Sequence, residues 1–183
     1  MAFFDVPKDA DIPPEARHWL EELARLRGVK TVPQSRLVYA STPWILKAQV
    51  TAEENLFNQS SGRSKFSWEA RMIAFMLVAH SRRCDGCFGA SRRALTTLGF
   101  DEPALDGFCA NPTALPLPER DRAFVRYVLR FALSAMDVEP KDFREMEAQG
   151  MTPDDVREMI GFAAFSVFNT IFTTLANTAL RDE

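Results

Sequence analysis

The chain has 183 residues, 46% hydrophobic and 26% charged, with a net charge of −3, which supplies a good core and excludes a disordered or fibrous polypeptide. A pI near 5.5 speaks against a nucleic-acid binder, which carries a basic surplus on one face. Three cysteines are too few for a disulfide framework, and Met1 to Asp9 lacks the basic start and apolar run of an export signal, so a cytoplasmic setting is expected.

Helical punctuation runs the length of the chain. Pro13 and Pro14 open a helix with the apolar stripe Trp19, Leu20, Leu23 and Leu26, and Gly28 closes it. Thr42-Pro43 starts a second, through Trp44, Ile45, Val50 and Leu56 toward Gly62. Ser67 is the expected N-cap of a third that runs to about Arg83, where two arginines suit the negative end of its dipole. Within it, Met72 to Ala79 is unbroken apolar sequence, far short of the roughly 20 residues of a membrane span, and reads as a buried core helix. A fourth helix begins near Cys84 and stops around Gly99. From Phe100 to Pro118, Pro103, Gly107, Pro112, Pro116 and Pro118 predict a long irregular connection with room for one short turn of helix. Glu119 to about Met136 is amphipathic, with Phe124, Val128 and Phe131 inward and Arg122, Arg126 and Arg130 in a solvated row. A short helix from Pro140 to Gln149 ends at Gly150, and Thr152-Pro153-Asp154-Asp155 starts the last one. Between Gly161 and Leu180, Ser166, Thr170, Thr173 and Asn177 mark one face and Phe165, Phe168, Phe172 and Leu175 another. That pattern suits a helix packed in a core or a subunit interface. No alternating strand pattern competes, so the expected fold class is all-α.

Cys84-Asp85-Gly86-Cys87 puts two thiols one helical turn apart, with Arg82 and Arg83 on one flank and Arg92 and Arg93 on the other. Positive charge stabilises thiolate, the nucleophilic form, so dithiol–disulfide cycling is one chemistry open to the pair. A buried structural pair and half of a zinc site are the others. Tetrahedral zinc needs four N or S ligands, and the chain otherwise offers only His18, His80 and Cys109. A thioredoxin fold, the usual home of such a motif, needs βαβ units that this pattern lacks.

The run Glu69-Ala70-Arg71-Met72-Ile73-Ala74 followed by Ser81 to Cys87 resembles the core motif of the AhpD-like alkylhydroperoxidase and carboxymuconolactone decarboxylase family. Pro33 to Pro43, Leu117 to Ala123, Phe143 to Gly150, Met151 to Asp155 and Phe165 to Asn169 extend the likeness over about residues 13 to 180. The resemblance implies a compact AhpD-like helical bundle that assembles as a homo-oligomer, a dimer, trimer or hexamer. It would form one domain over residues 1–183, with residues 1–12 as an N-terminal arm and 100–118 as the irregular connection between helical halves. It further implies Cys87 as the thiol that attacks a hydroperoxide or disulfide and Cys84 as the resolving thiol. No cofactor or metal is called for, and an external dithiol or electron-carrier protein would serve as reductant. No nucleic-acid or membrane partner is expected.

The family pattern has a histidine four residues after the second cysteine and a glutamate about twelve before the first, where this chain has Ser91 and Met72. Ser91 lies one turn beyond Cys87, and its hydroxyl can hydrogen-bond a thiolate without serving as a base near neutral pH. Glu69 and His80 are the remaining candidate catalytic groups, but eleven residues of one helix separate them by roughly 16 Å, so they form no dyad within it. Glu69 equally complements the positive helix end, and His80 equally packs against a local carbonyl. Arg83 and Arg92 are the candidate substrate-binding residues, with dipole complement and solvation as their alternative role. The functional expectation is a thiol-dependent oxidoreductase whose peroxidase activity is slow or substrate-restricted. The alternatives are a carboxymuconolactone decarboxylase-like lyase, which has no need of a dithiol, and a non-catalytic redox-sensitive helical oligomer.

Overall fold

Several helices begin at a proline or at a side chain that accepts from one of their first amides. The computed structural model of the protein describes residues 3–57 and 64–181, and among these it contains helices and no strand. The helices are α1 (Pro14–Arg27), α2 (Gln34–Leu37), α3 (Pro43–Phe57), α4 (Trp68–Ser81), α5 (Asp85–Thr97), α6 (Glu102–Ala110), α7 (Glu119–Leu133), α8 (Pro140–Ala148) and α9 (Pro153–Ala179). Proline opens α1, α3, α8 and α9, where a missing N–H leaves nothing unsatisfied. Ser67 Oγ accepts from the Ala70 amide at 3.1 Å to cap α4. The Thr152 amide donates to Asp155 Oδ2 at 2.8 Å, and the Asp155 amide donates back to Thr152 Oγ1 at 3.3 Å, ahead of α9. Gly28 ends α1 at φ 63, in the left-handed region that glycine enters without penalty. The expected all-α class holds.

Three local expectations are corrected. The segment 100–118 contains the nine-residue α6. Asp101 Oδ1 caps it by accepting from the Ala104 amide at 2.8 Å, and Pro103 sits in its first turn, so that proline marks a helix start where it was read as a breaker. The amphipathic run from Glu119 ends as α-helix at Leu133 and continues as a 3-10 turn over Ala135–Asp137. On α9 the hydroxyl face is inward as well as part of the apolar one: Ser166, Thr170 and Thr173 are buried along with Phe165 and Phe172, whereas Phe168 and Leu175 are 39% and 61% exposed. Burial is tolerated because Ser166 Oγ donates to the Phe162 carbonyl at 2.7 Å and Thr170 Oγ1 to the Val167 carbonyl at 2.8 Å. The expected approach of the second helix to Gly62 lies outside the described residues.

The chain divides into two compact units, Met1–Ser61 with Ile171–Glu183, and Gly62–Thr170. In the first, α1 and α3 enclose Ile12, Ala16, Leu20, Ala40 and Leu46, with Trp19, Val32, Leu37 and Tyr39 packed around them. Arg27 clamps Glu53 with bonds of 2.6 and 2.8 Å, tying α1 to α3. Tyr39 stacks on Phe172 at 3.7 Å, and the buried Arg36 lies over the same ring and donates to Thr173 Oγ1 at 2.8 Å.

In the second unit α4 is the central element. Every residue from Ala70 to Ala79 is buried, as an apolar helix requires when neighbours cover it on all sides. Its main partners are α5 and α7. Phe66, Phe124 and Phe162 follow one another at 4.4 and 5.4 Å between ring centres, and Ile73, Met76, Leu95 and Leu105 are fully buried. Each such side chain contributes roughly 1.5–3 kcal/mol relative to exposure. This packing fixes the end of α4, from which the thiols hang.

Candidate active site

The two cysteines sit on the turn that joins α4 to α5, and the backbone of that turn is unusual. Arg82 is the last half-helical residue of α4, and Arg83 follows at φ 55, the only non-glycine with positive φ among the described residues. The Arg83 amide then reaches the His80 carbonyl at 3.0 Å and the Cys84 amide the Ala79 carbonyl at 2.9 Å. These two bonds make a Schellman closure, with arginine in the place glycine usually takes. Cys84 is at once the final residue of that closure and the N-cap of α5, where its side chain makes no capping bond. Cys87 lies in the first turn of α5.

Both are thiols, with no disulfide between them, and they are 2% and 5% exposed. Side chains three apart on a helix have Cβ atoms about 5–6 Å apart, against 3.5–4.5 Å in a disulfide, so a modest tightening of this turn joins them. Cys87 Sγ donates to the Asn169 carbonyl of α9 at 3.8 Å.

The other predicted residues are distributed around this pair. Ser91 is buried one turn beyond Cys87, and its hydroxyl donates to the Cys87 carbonyl at 2.8 Å, so its proton is committed to the backbone. His80 ends α4, exposed, with its ring 5.2 Å from that of Phe88. Phe88 stands four residues after Cys84 just as His80 stands four before it, so the ring pair flanks the Cys84 turn. Glu69 remains at the far end of α4, in its first turn, apart from the thiols. Its charge acts instead on the buried Arg71, whose guanidinium burial pushes down in pKa against the pull of Glu158, Asp121 and Glu69.

The arginines separate into different classes. Arg92 donates to Asp106 Oδ1 at 2.6 Å and bonds the Glu102 carboxylate, both on α6, and lies 5.3 Å over the Phe88 ring. Hydrogen bonds to Glu102 and then Asp106 raise its pKa further. Arg83 is exposed. Arg82 is half-buried and donates from Nε to Thr170 Oγ1 at 2.9 Å, a contact that the charge pattern of the sequence did not announce. Its signal was Thr170, a hydroxyl on a face of α9 that turns out to be buried. Cys109 lies on α6, where burial pushes its thiol up, opposed by Arg92. Among the described residues no three His, Cys, Asp or Glu side chains converge as metal ligands.

Comparison of folds supplies a context for this turn. The chain superimposes over its full length on 92% of a protein described as an alkylhydroperoxidase AhpD core, an uncharacterized peroxidase-related protein from Ralstonia eutropha JMP134, with a TM-score of 0.76 and 21% identity. The fold is AhpD-like. An uncharacterized peroxidase-related protein from Silicibacter sp. TM1040 matches equally well, with a TM-score of 0.77, 19% identity, and coverage of 96% of this chain and 90% of that one. No family model and no curated protein matches the sequence. The AhpD-like architecture thus stands on the arrangement of helices, and the chemistry of the α4–α5 turn has to be argued from its own residues.

Proposed function

We propose that the protein is a thiol-dependent oxidoreductase that cycles Cys84 and Cys87 between dithiol and disulfide while reducing a hydroperoxide or a disulfide. The observation that carries the reading is the pairing of two buried thiols on one tight turn, one on its non-helical side and one in the following helix. The AhpD-like fold, shared with proteins described as peroxidase-related, adds to it.

In the cycle, Cys87 thiolate attacks the O–O bond of a hydroperoxide. An S–O bond forms, the O–O bond breaks, and the alcohol departs with a proton, leaving a sulfenic acid. The Cys84 sulfur then displaces water from that sulfenic acid and an S–S bond forms, which halts oxidation before the irreversible sulfinic stage. An external dithiol, small or carried on a protein, returns two electrons by thiol–disulfide exchange. With Ser91 at the position of the family's histidine and its proton engaged by a carbonyl, no imidazole stands on the helix that carries Cys87, and slow or substrate-selective peroxidase turnover follows. A reducing, cytoplasmic compartment suits such a cycle.

The same reading includes self-assembly. In the second unit an open apolar groove of about 530 Å³ is lined by Phe131, Ala135, Val138, Phe143, Ile160 and Val167, and Met136 beside it is 96% exposed. Apolar surface of this kind suits a second copy of the chain.

The test mixes fully reduced protein with one equivalent of an organic hydroperoxide and follows thiol state by peptide mass spectrometry. A Cys84–Cys87 disulfide forming well ahead of any change at Cys109 is expected. A Cys84→Ser variant should instead hold a trappable sulfenic acid on Cys87. Survival of both thiols sinks the peroxidase reading, and inertness toward a disulfide substrate as well sinks the oxidoreductase reading.

A further inference from the structure

Cys87 poses a problem that its immediate neighbours leave unsolved. It is 5% exposed and its S–H points at a carbonyl, yet its proposed chemistry needs the thiolate. The charged groups of every element around it narrow the options. From α4 come His80, held against Phe88, and Arg82; the connecting turn adds the exposed Arg83. From α5 come Asp85, a negative charge, the exposed Arg93, and Arg92, whose guanidinium is taken by Glu102 and Asp106 of α6. Cys109 is the other titratable group of α6 on this side. On α9 no charged residue occurs between Glu158 and Arg181.

Arg82, like Arg92, is anchored, but by a hydroxyl where Arg92 is held by two carboxylates. Its Nε donates to Thr170 Oγ1 at 2.9 Å, while Cys87 Sγ donates to the carbonyl of the preceding residue, Asn169, at 3.8 Å. Consecutive Cα atoms are about 3.8 Å apart, so guanidinium and thiol meet the same half-turn of α9. Among the described residues no carboxylate pairs with Arg82. Thr170 is 1% exposed and donates its own proton to the Val167 carbonyl at 2.8 Å, which leaves its oxygen as a fixed acceptor for the guanidinium.

We infer that Arg82 is the positioning residue that lets Cys87 ionise, by supplying a fixed positive charge. A guanidinium cannot accept the proton, so the proton leaves to solvent, and the charge stabilises the thiolate it leaves behind. The anchor holds the guanidinium on Thr170, the residue next to the one whose carbonyl Cys87 meets. The inference rests on Cys87 as the attacking thiol, and it accounts for reactivity without a nearby base.

The experiment measures iodoacetamide alkylation of Cys87 against pH in a Cys84→Ser, Cys109→Ser background of the full chain. This readout needs no peroxide turnover, so it fails independently of the proposed function. Arg82→Gln should move the midpoint of the profile upward by about one pH unit and slow alkylation near neutral pH about tenfold. Arg82→Lys should hold most of the parent profile, and Arg144→Gln, an equal loss of charge on exposed α8, should leave it in place. If Arg82→Gln does not fold, Thr170→Ala, which frees the guanidinium, should move the midpoint the same way by less. A profile unchanged in Arg82→Gln or Thr170→Ala, or one moved as far by Arg144→Gln, overturns the inference.

Discussion

Replacing Arg92 with alanine separates two roles for the arginine that flanks the thiol helix. As a substrate ligand it would matter to turnover; the structure has it joining α5 to α6. Its side chain is 16% exposed, while those of Glu102 and Asp106 are 61% and 72% exposed. Each pair therefore lies in high dielectric and is worth about 0.2–1 kcal/mol. The guanidinium 5.3 Å above Phe88 adds about 0.5–1 kcal/mol. Both carboxylates stay hydrated after truncation, so no stranded buried charge enlarges the loss. The sum is about 1–3 kcal/mol, and for a chain of this length each kcal/mol lowers Tm by about 2–4 °C. Thermal melts of Arg92→Ala should thus fall by about 2–12 °C, by less at raised salt, with non-additivity in a double-mutant cycle with Glu102→Ala. Alkylation of Cys87 should be nearly unchanged. An unaltered Tm together with a large loss of turnover on anionic hydroperoxides would falsify this account and make Arg92 a ligand for substrate.

Two further outcomes test the frame around the site. Burial works against the Asp155 charge, but hydrogen bonds from Thr152 and the charges of Arg120 and Lys65 hold its carboxyl below the usual 3.8. A depressed carboxylate stabilises the fold fully above its unfolded value, and the gain disappears as pH drops through the folded value. Urea midpoints of wild type and Asp155→Asn should therefore differ at neutral pH and converge in acid below about pH 4; a constant gap would mean that the capping bonds act without the charge. Ile160→Glu, at a residue 45% exposed on the groove rim, should leave helicity intact and lower the assembly mass in sedimentation. An unchanged mass would move the contact elsewhere.

Much of the frame was legible because helix ends announce themselves. Ser67, Gly28 and the Thr152–Asp155 pair each carry a side chain or a backbone freedom that a terminus needs, and each terminus formed there. The position of the cysteine pair at the head of α5 followed from the same punctuation. What escaped was context-dependent. Pro103 breaks a helix in one setting and starts it in another, and the choice rested on Asp101 two residues earlier. Four-residue α2 is too short to show a period. The burial of Ser166 and Thr170 had no mark in the sequence, because a serine or threonine inside a helix can satisfy itself on the preceding turn and go inward. Arginine reach was the largest blind spot: Arg82 and Arg92 both flank the thiols in the sequence, while one grips α9 and the other α6.

The left-handed Arg83 also has a mechanical meaning. Through its amide Cys84 belongs to the closure of α4, and through its carbonyl, which accepts from the Phe88 amide at 2.8 Å, it belongs to α5; Cys87 belongs to α5 alone. A sulfur–sulfur bond between them would be a pin through a knuckle, and its making and breaking would set how freely one rod swings on the other.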